Sequence, residues 1–199
     1  MRQLLYYERN LPHRLPPGSD LFLTFRLAGS LPSSVVARLQ NQFRSSEADS
    51  AELTYAQQRR YFGRFDTLLD GAAQGPVWLR EPAVAEVVAA SLRHFHGKAY
   101  HLVCYCIMPN HVHAVVSLAE DAPLLADTLQ RLKGYTALQA NKLLNRTGQF
   151  WQRETYDHIV RSGEEMQRVV AYVVNNPVKA GLAESWEQWP YTYWPDTLG

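Results

Sequence analysis

His111 and His113 stand two apart in the stretch His111-Val-His-Ala-Val-Val-Ser-Leu118. On a strand, that spacing puts both imidazoles on one face with their Cα atoms about 7 Å apart. It suits two nitrogen ligands on one metal ion, and equally two ordinary histidines on a half-exposed sheet. Tyr172 and Asn176 are four apart on a helical pattern and therefore share a side. A phenol can attack phosphorus and an amide oxygen can complete a metal site, while the same offset also fits a core aromatic and a helix end before Pro177. Tyr135 and Gln139 repeat the offset on the preceding helix, so spacing alone leaves two candidate nucleophile–amide pairs. Cys104 and Cys106 lie on one strand, where they cannot staple distant segments. With the histidines they form a Cys-x-Cys and His-x-His set that could hold zinc, although thiols two apart on a flat strand are poorly placed to share an ion.

The surrounding pattern says how these residues are delivered. Leu21-Phe-Leu-Thr-Phe-Arg-Leu27 reads as a strand closed by Gly29 and Pro32. A helix capped by Ser33 or Ser34 runs to about Phe43, and the polar stretch Ser45-Ser-Glu-Ala-Asp-Ser50 makes a loop. Helices follow from about Leu53 to Leu69, ending at Gly71, and from near Pro82 to Phe95, where proline suits a first turn. Then Tyr100 to Ile107 and His111 to Leu118 alternate as two strands of a hairpin around Met108-Pro-Asn110. The helix from Leu124 to Leu144 should lay Leu125, Leu129, Leu132 and Leu143 on the sheet, and a short extended piece spans Tyr156 to Arg161. The last helix, from Gly163 to Val174, should stop at Asn176-Pro177, because the residue before proline is pushed out of the helical region. The expected architecture is α+β, an antiparallel sheet covered by helices on one face. We expect a single domain over residues 1–199, with the aromatic, proline-broken tail 182–199 packing as irregular chain.

With 199 residues, 46% of them hydrophobic and 20% charged, the chain can close a sizeable core and is too balanced to be disordered. The opening Met1-Arg-Gln-Leu-Leu-Tyr-Tyr7 lacks a signal-peptide pattern, and no apolar run approaches the roughly 20 residues of a membrane span, so a cytoplasmic protein is expected. A net charge of +1 does not announce a nucleic-acid binder. Residues 127–181 hold eight Lys/Arg against five Asp/Glu, a mild excess that a solvated helix surface would also show.

The ordered set of motifs resembles a known family. Met108-Pro-Asn-His-Val-His113 resembles the histidine-hydrophobic-histidine motif of single-tyrosine HUH transposases, and Tyr172-Val-Val-Asn-Asn-Pro-Val-Lys-Ala-Gly181 the tyrosine segment of the REP-associated tyrosine transposases. Leu21 to Pro32, Trp78-Leu-Arg-Glu-Pro82, Lys133-Gly-Tyr-Thr136 and Phe150-Trp-Gln-Arg-Glu-Thr-Tyr-Asp-His158 are similar to that family in the same order. The resemblance implies an HUH-type fold, a central antiparallel sheet of ferredoxin-like or RRM-like arrangement with flanking helices. It implies that His111, His113 and Asn176 bind Mg²⁺ or Mn²⁺ and that Tyr172 is the nucleophile, with Tyr135 and Gln139 as the alternative nucleophile and ligand. The implied partner is single-stranded or hairpin DNA of REP-like repeats, with no membrane, for a monomer or homodimer. Related insertion-sequence enzymes lend the tyrosine from one subunit to the other.

On that reading the enzyme is a metal-dependent single-strand nickase and strand transferase working through a 5′-phosphotyrosine, which stores the phosphodiester's free energy so that rejoining needs no ATP. Three neutral ligands would leave the cation its full charge, and that charge would lower the phenol's pKa. Lys133, Arg153 and Lys179 are the candidate phosphate contacts. The competing readings are a hairpin-binding relative without catalysis and a phosphodiesterase that uses activated water.

Overall fold

The computed structural model describes residues 18–44, 55–71 and 75–195, so the loop expected at 45–50 and the expected helix start at Leu53 lie outside the described residues. Strand β1 (Asp20–Leu27) is followed by helices α1 (Ser33–Arg44), α2 (Tyr55–Asp70) and α3 (Pro82–Phe95), then by strands β2 (His101–Ile107) and β3 (His111–Ser117). After them come α4 (Leu125–Leu143), β4 (Trp151–Val160), α5 (Gly163–Val174), the short α6 (Asn176–Lys179) and β5 (Thr192–Tyr193). The sheet order is β4-β1-β3-β2-β5, and every pairing is antiparallel. The expected α+β class with a central antiparallel sheet is what the chain adopts.

Period-2 alternation sorts each central strand into two faces. Leu21, Leu23, Phe25 and Leu27 of β1 join Val112, Ala114 and Val116 of β3 in one buried cluster, covered by α3 through Val84, Val88 and Leu92 and by α4 through Leu125, Leu129 and Leu132. The other face carries Phe22, Cys104, Cys106 and Val115 under Val170, Val173 and Val174 of α5, with Phe62 of α2 and Trp186, Trp189 and Trp194 of the tail packed against them. Helices therefore cover both faces, where the sequence suggested one. Two apolar layers were hidden in the strand pattern because the second is interrupted by Thr24, His111 and His113.

Three local expectations change. Leu143 is 52% exposed and does not help cover the sheet. β4 starts at Trp151, five residues before the expected Tyr156, because it pairs along nearly the whole of β1. The tail is not irregular throughout: a 3-10 turn at Trp186–Gln188 leads to β5, which pairs with the β2 edge, and the Trp189 indole N–H donates to the Ile107 carbonyl at 2.9 Å. No helix among the described residues is long and apolar enough to cross a membrane.

Candidate functional site

The hairpin that delivers the histidines is tied down at its turn. The Met108 amide donates to the His111 carbonyl at 2.8 Å, the Leu27 amide to the Asn110 carbonyl at 2.8 Å, and the Leu79 amide to the Pro109 carbonyl at 3.2 Å. Asn110 is buried and uses both ends of its amide: Nδ2 donates to the Leu69 carbonyl on α2 at 2.9 Å, and Oδ1 lies 2.6 Å from His111 Nδ1. An amide oxygen only accepts, so His111 carries its proton on Nδ1 and keeps a lone pair on Nε2. His113 Nδ1 is 2.7 Å from Thr24 Oγ1 of the neighbouring strand, in register with it. The two Nε2 atoms then face one another 3.0 Å apart, both side chains fully buried.

The carboxylate that meets them comes from α2. Asp66 is completely buried; its Oδ1 lies 3.1 Å from His113 Nε2 and 3.9 Å from His111 Nε2 and has no hydrogen-bond partner. Its Oδ2 accepts hydrogen bonds from the Tyr172 hydroxyl and from Lys179 Nζ, the latter at 3.2 Å. Asp70, one turn later, takes a second bond from Lys179 at 2.9 Å and places Oδ1 3.9 Å from His111 Nε2.

The third contribution is the end of α5. Ser162 caps it by accepting from the Glu165 amide at 3.1 Å, and Glu164 and Glu165 fill the first turn where the helix dipole favours them. Helix α5 spans the expected Gly163–Val174, and the short helix α6 follows it at once, which the sequence did not announce. Asn175 stays near the helical region (φ −86°, ψ 3°), and Pro177 sits in the first turn of α6, where its missing N–H is not needed. Tyr172, Asn176 and Lys179 thus follow one another at offsets of four and three on nearly continuous helix, and share a side. The first and last of the three both reach Asp66. Asn176 is fully buried, and among the described residues neither its amide nitrogen nor its oxygen has a partner. An orphaned buried amide costs about 1–3 kcal/mol, so its place on the helix side that carries Tyr172 and Lys179 suits a ligand supplied from outside the chain.

Charge in this pocket is organised around Asp66. Burial opposes its ionisation, but His113, His111 and the Tyr172 hydroxyl hold the carboxyl well below the usual range. Tyr172 is pushed up instead, by burial first and then by the Asp66 charge and hydrogen bond. Asp70 is raised by burial and by Asp66, against the pull of Lys179. His111 is pushed down to about 3 by burial and by its neighbour His113, which keeps it a neutral ligand.

The donors fit a divalent cation. His111, His113 and Asp66 each offer one ligand atom, all within 4.8 Å of one another, and the Asn176 amide adds an oxygen with no other partner. Two imidazole nitrogens with carboxylate and amide oxygens suit Mn²⁺ at least as well as Mg²⁺. The cysteines take no part. Cys106 does sit across from His113, as the hairpin register requires, but both thiols are free and buried. Burial pushes Cys106 up to about 12, and its S–H donates to the Met108 sulfur at 3.7 Å.

Of the residues singled out in the sequence, His111, His113, Tyr172 and Lys179 converge, and the His113 and Tyr172 rings lie 5.7 Å apart. Tyr135 is 57% exposed on α4, which packs on the opposite face of the sheet, so Tyr135 and Gln139 are not brought to the histidines. Lys133 Nζ donates to the Gln152 and Arg153 carbonyls and to Thr155 Oγ1. Arg153 is exposed on β4. Asp66 was missed. Its signal was two aspartates four apart at the C-terminal end of a helix, where the dipole disfavours negative charge.

The chain is similar to known proteins. Residues 79–176 match the family model described as "Transposase IS200 like", a segment that contains both histidines, Tyr172 and Asn176 but not Asp66. A Haemophilus influenzae protein named "Putative REP-associated tyrosine transposase" is 28% identical over 102 residues, 47% of this chain and 58% of that protein. The chain thus spans little more than half the length of this curated relative. A solved structure of a REP-associated tyrosine transposase bound to a REP hairpin superposes with a TM-score of 0.53 at 15% identity, covering 92% of this chain and 81% of that one. At that identity the likeness speaks for the fold.

Proposed function

We propose that the chain, which matches the IS200-like transposase family over residues 79–176, nicks and rejoins single-stranded DNA beside a hairpin, with Tyr172 as nucleophile. The observation that carries this reading is the meeting of Tyr172, Asp66, His111 and His113 in one pocket of one chain. His111, His113, Asp66 through Oδ1 and Asn176 would hold a divalent cation. Such an ion supplies Lewis-acid polarisation of the scissile phosphate. Asp66 would join the neutral ligands that the resemblance implies and would offset one unit of the ion's charge.

The chain's own groups do the rest. Tyr172 Oη forms the bond to phosphorus as the phosphorus–O3′ bond breaks, leaving a 5′-phosphotyrosine and a 3′-hydroxyl that takes up a proton from water. The phenolic proton leaves along the existing hydrogen bond to Asp66 Oδ2, which also fixes the direction of attack. Reversal by any correctly placed 3′-hydroxyl rejoins the strand. Lys179 bridges Asp66 and Asp70, offsets one of their two charges and softens the pair's repulsion of the incoming backbone. Because Tyr172 meets the histidines of its own chain, a monomer is sufficient for chemistry. The likeness to a hairpin-bound relative supports hairpin DNA of REP type as the partner, and exposed Arg153 is a candidate phosphate contact.

The test is a denaturing gel of protein incubated with Mn²⁺ and a labelled single strand carrying a hairpin. A protein–DNA adduct is expected, abolished by Tyr172→Phe and retained by Tyr135→Phe. Cleavage with no adduct would mean activated water, binding with neither would mean a non-catalytic hairpin binder, and loss of the adduct only in Tyr135→Phe would transfer the nucleophile to α4.

A further inference from the structure

Thr24 and Arg26 alternate with Leu23, Phe25 and Leu27 along β1, so they share the face on which Thr24 meets His113. Arg26 is in register with His111 on β3, which places the two Cα atoms about 5 Å apart. The pairing of β1 with β4 slips between Phe25 and Leu27, a bulge of the kind that re-aims a side chain at the rim of a site. The guanidinium is half-buried, 5.6 Å from the centroid of the Phe65 ring, and its Nη1 donates to Ser30 Oγ at 3.2 Å. Among the described residues it makes no salt bridge. The nearby Glu154 carboxylate accepts instead from Gln152 Nε2. Lys179 is held by two aspartates and Lys133 by three acceptors of β4. Arg26 is a cation beside the histidine pair with no carboxylate bound and donors to offer.

We propose that Arg26 grips the DNA phosphate at this site, its planar fork of N–H groups taking a non-bridging oxygen beside His111 and turning the phosphorus toward Tyr172. This rests on reading the pocket as a site for the DNA backbone and adds to it a residue outside the segment matched by the family model. Guanidinium is the right group for the task, because it is always charged and binds phosphate through paired donors, as a lysine ammonium does not.

The experiment uses the full chain carrying Tyr172→Phe, so that binding is measured without cleavage, and a fluorescent hairpin-bearing single strand titrated at several salt concentrations. Arg26→Gln should reduce the slope of log K against log salt by about 0.7, the loss of one phosphate contact on a single strand. Arg26→Lys should keep the slope and bind several-fold more weakly, and calorimetry should give both variants the parent's Mn²⁺ affinity within twofold. In EDTA, a neutral methylphosphonate at the scissile linkage should weaken the unaltered protein about tenfold and leave Arg26→Gln unaffected. That arm decides even if Arg26→Gln folds poorly, since the parent alone suffices. An unchanged slope in Arg26→Gln, or a parent indifferent to the methylphosphonate, overturns the proposal. With Tyr172 restored, an adduct formed by the wild type and by Arg26→Gln at equal rates removes Arg26 and leaves the nicking reading intact. A changed slope with no adduct from the wild type removes nicking and leaves the phosphate contact.

Discussion

One strand, β3, presents both halves of this molecule. Toward α3 and α4 it turns Val112, Ala114 and Val116, each completely buried in a cluster whose α4 members include Leu125, Leu129 and Leu132. Toward α2 and α5 it turns His111 and His113, equally buried, against Asp66, Tyr172 and an asparagine whose amide has no partner. Burial is the same on the two sides and the energetics are opposite. The first side gains from removing apolar surface from water, about 25 cal/mol per Å². The second carries a desolvated carboxylate, whose burial Tyr172 and Lys179 must offset, and an orphaned amide that opposes folding. A fold tolerates such a pocket when the first side is strong enough to carry it, and function is the reason for keeping it.

The comparison is broken most severely at Tyr172. Tyr172→Phe removes one oxygen and should lower adduct formation by more than about 1,000-fold, with a gel as the readout. The loss of the Asp66 hydrogen bond should change melting only slightly. On the apolar side the reverse holds. Leu132→Ala, at a fully buried position of α4, should cost about 2–5 kcal/mol in urea unfolding, while the fraction still folded forms adduct at the normal rate. A Leu132→Ala protein that stays stable but loses its chemistry would contradict the separation of the two sides.

Asp66→Asn sharpens the same contrast. Removing the charge should destabilise the metal-free protein near neutral pH, because a carboxyl that the fold holds below its usual range contributes stability above its unfolded pKa. Mn²⁺ affinity should fall by more than about 10–100-fold, because that is the loss when only the surroundings of a metal ligand are altered, and calorimetry measures it directly. Thr24→Val acts one step further out. It takes away the partner of His113 Nδ1 and should weaken Mn²⁺ about tenfold with little effect on the strand.

How much of this was legible beforehand follows from the distance between partners. The histidine pair, Tyr172, Asn176, the hairpin and the antiparallel sheet could be read, since each rests on a local period or on a motif. Asp66 could not be joined to them, because the hydrogen bond from Tyr172 spans 106 positions and no periodicity tells which element will cover which face. Arg26 was visible as a polar residue in an apolar strand, yet its neighbour His111 is fixed only by the β1–β3 register, which skips three helices and a strand. The end of α5 at Val174 was legible, but the short helix α6 that follows was not. The rule against helix before proline concerns a helix interior, and here proline opens a new turn.

Lys133 gives the mildest expected effect and separates a binding lysine from a structural one. Its ammonium donates to two carbonyls and a hydroxyl of β4, so it ties α4 to the sheet edge and has little left to offer a phosphate. Burial pulls its pKa down to about 8, against the pull of Glu154. An unfolded lysine titrates near 10.4, so between about pH 8 and about pH 10 the unfolded chain binds more protons at this position than the folded one. Stability therefore gains from this residue as pH rises through that window and is lowest, as far as Lys133 contributes, below pH 8. Lys133→Met should flatten that part of the stability–pH curve in urea titrations and leave the salt slope of DNA binding unchanged. A slope reduced by about 0.7, with the pH curve untouched, would instead make Lys133 a phosphate contact.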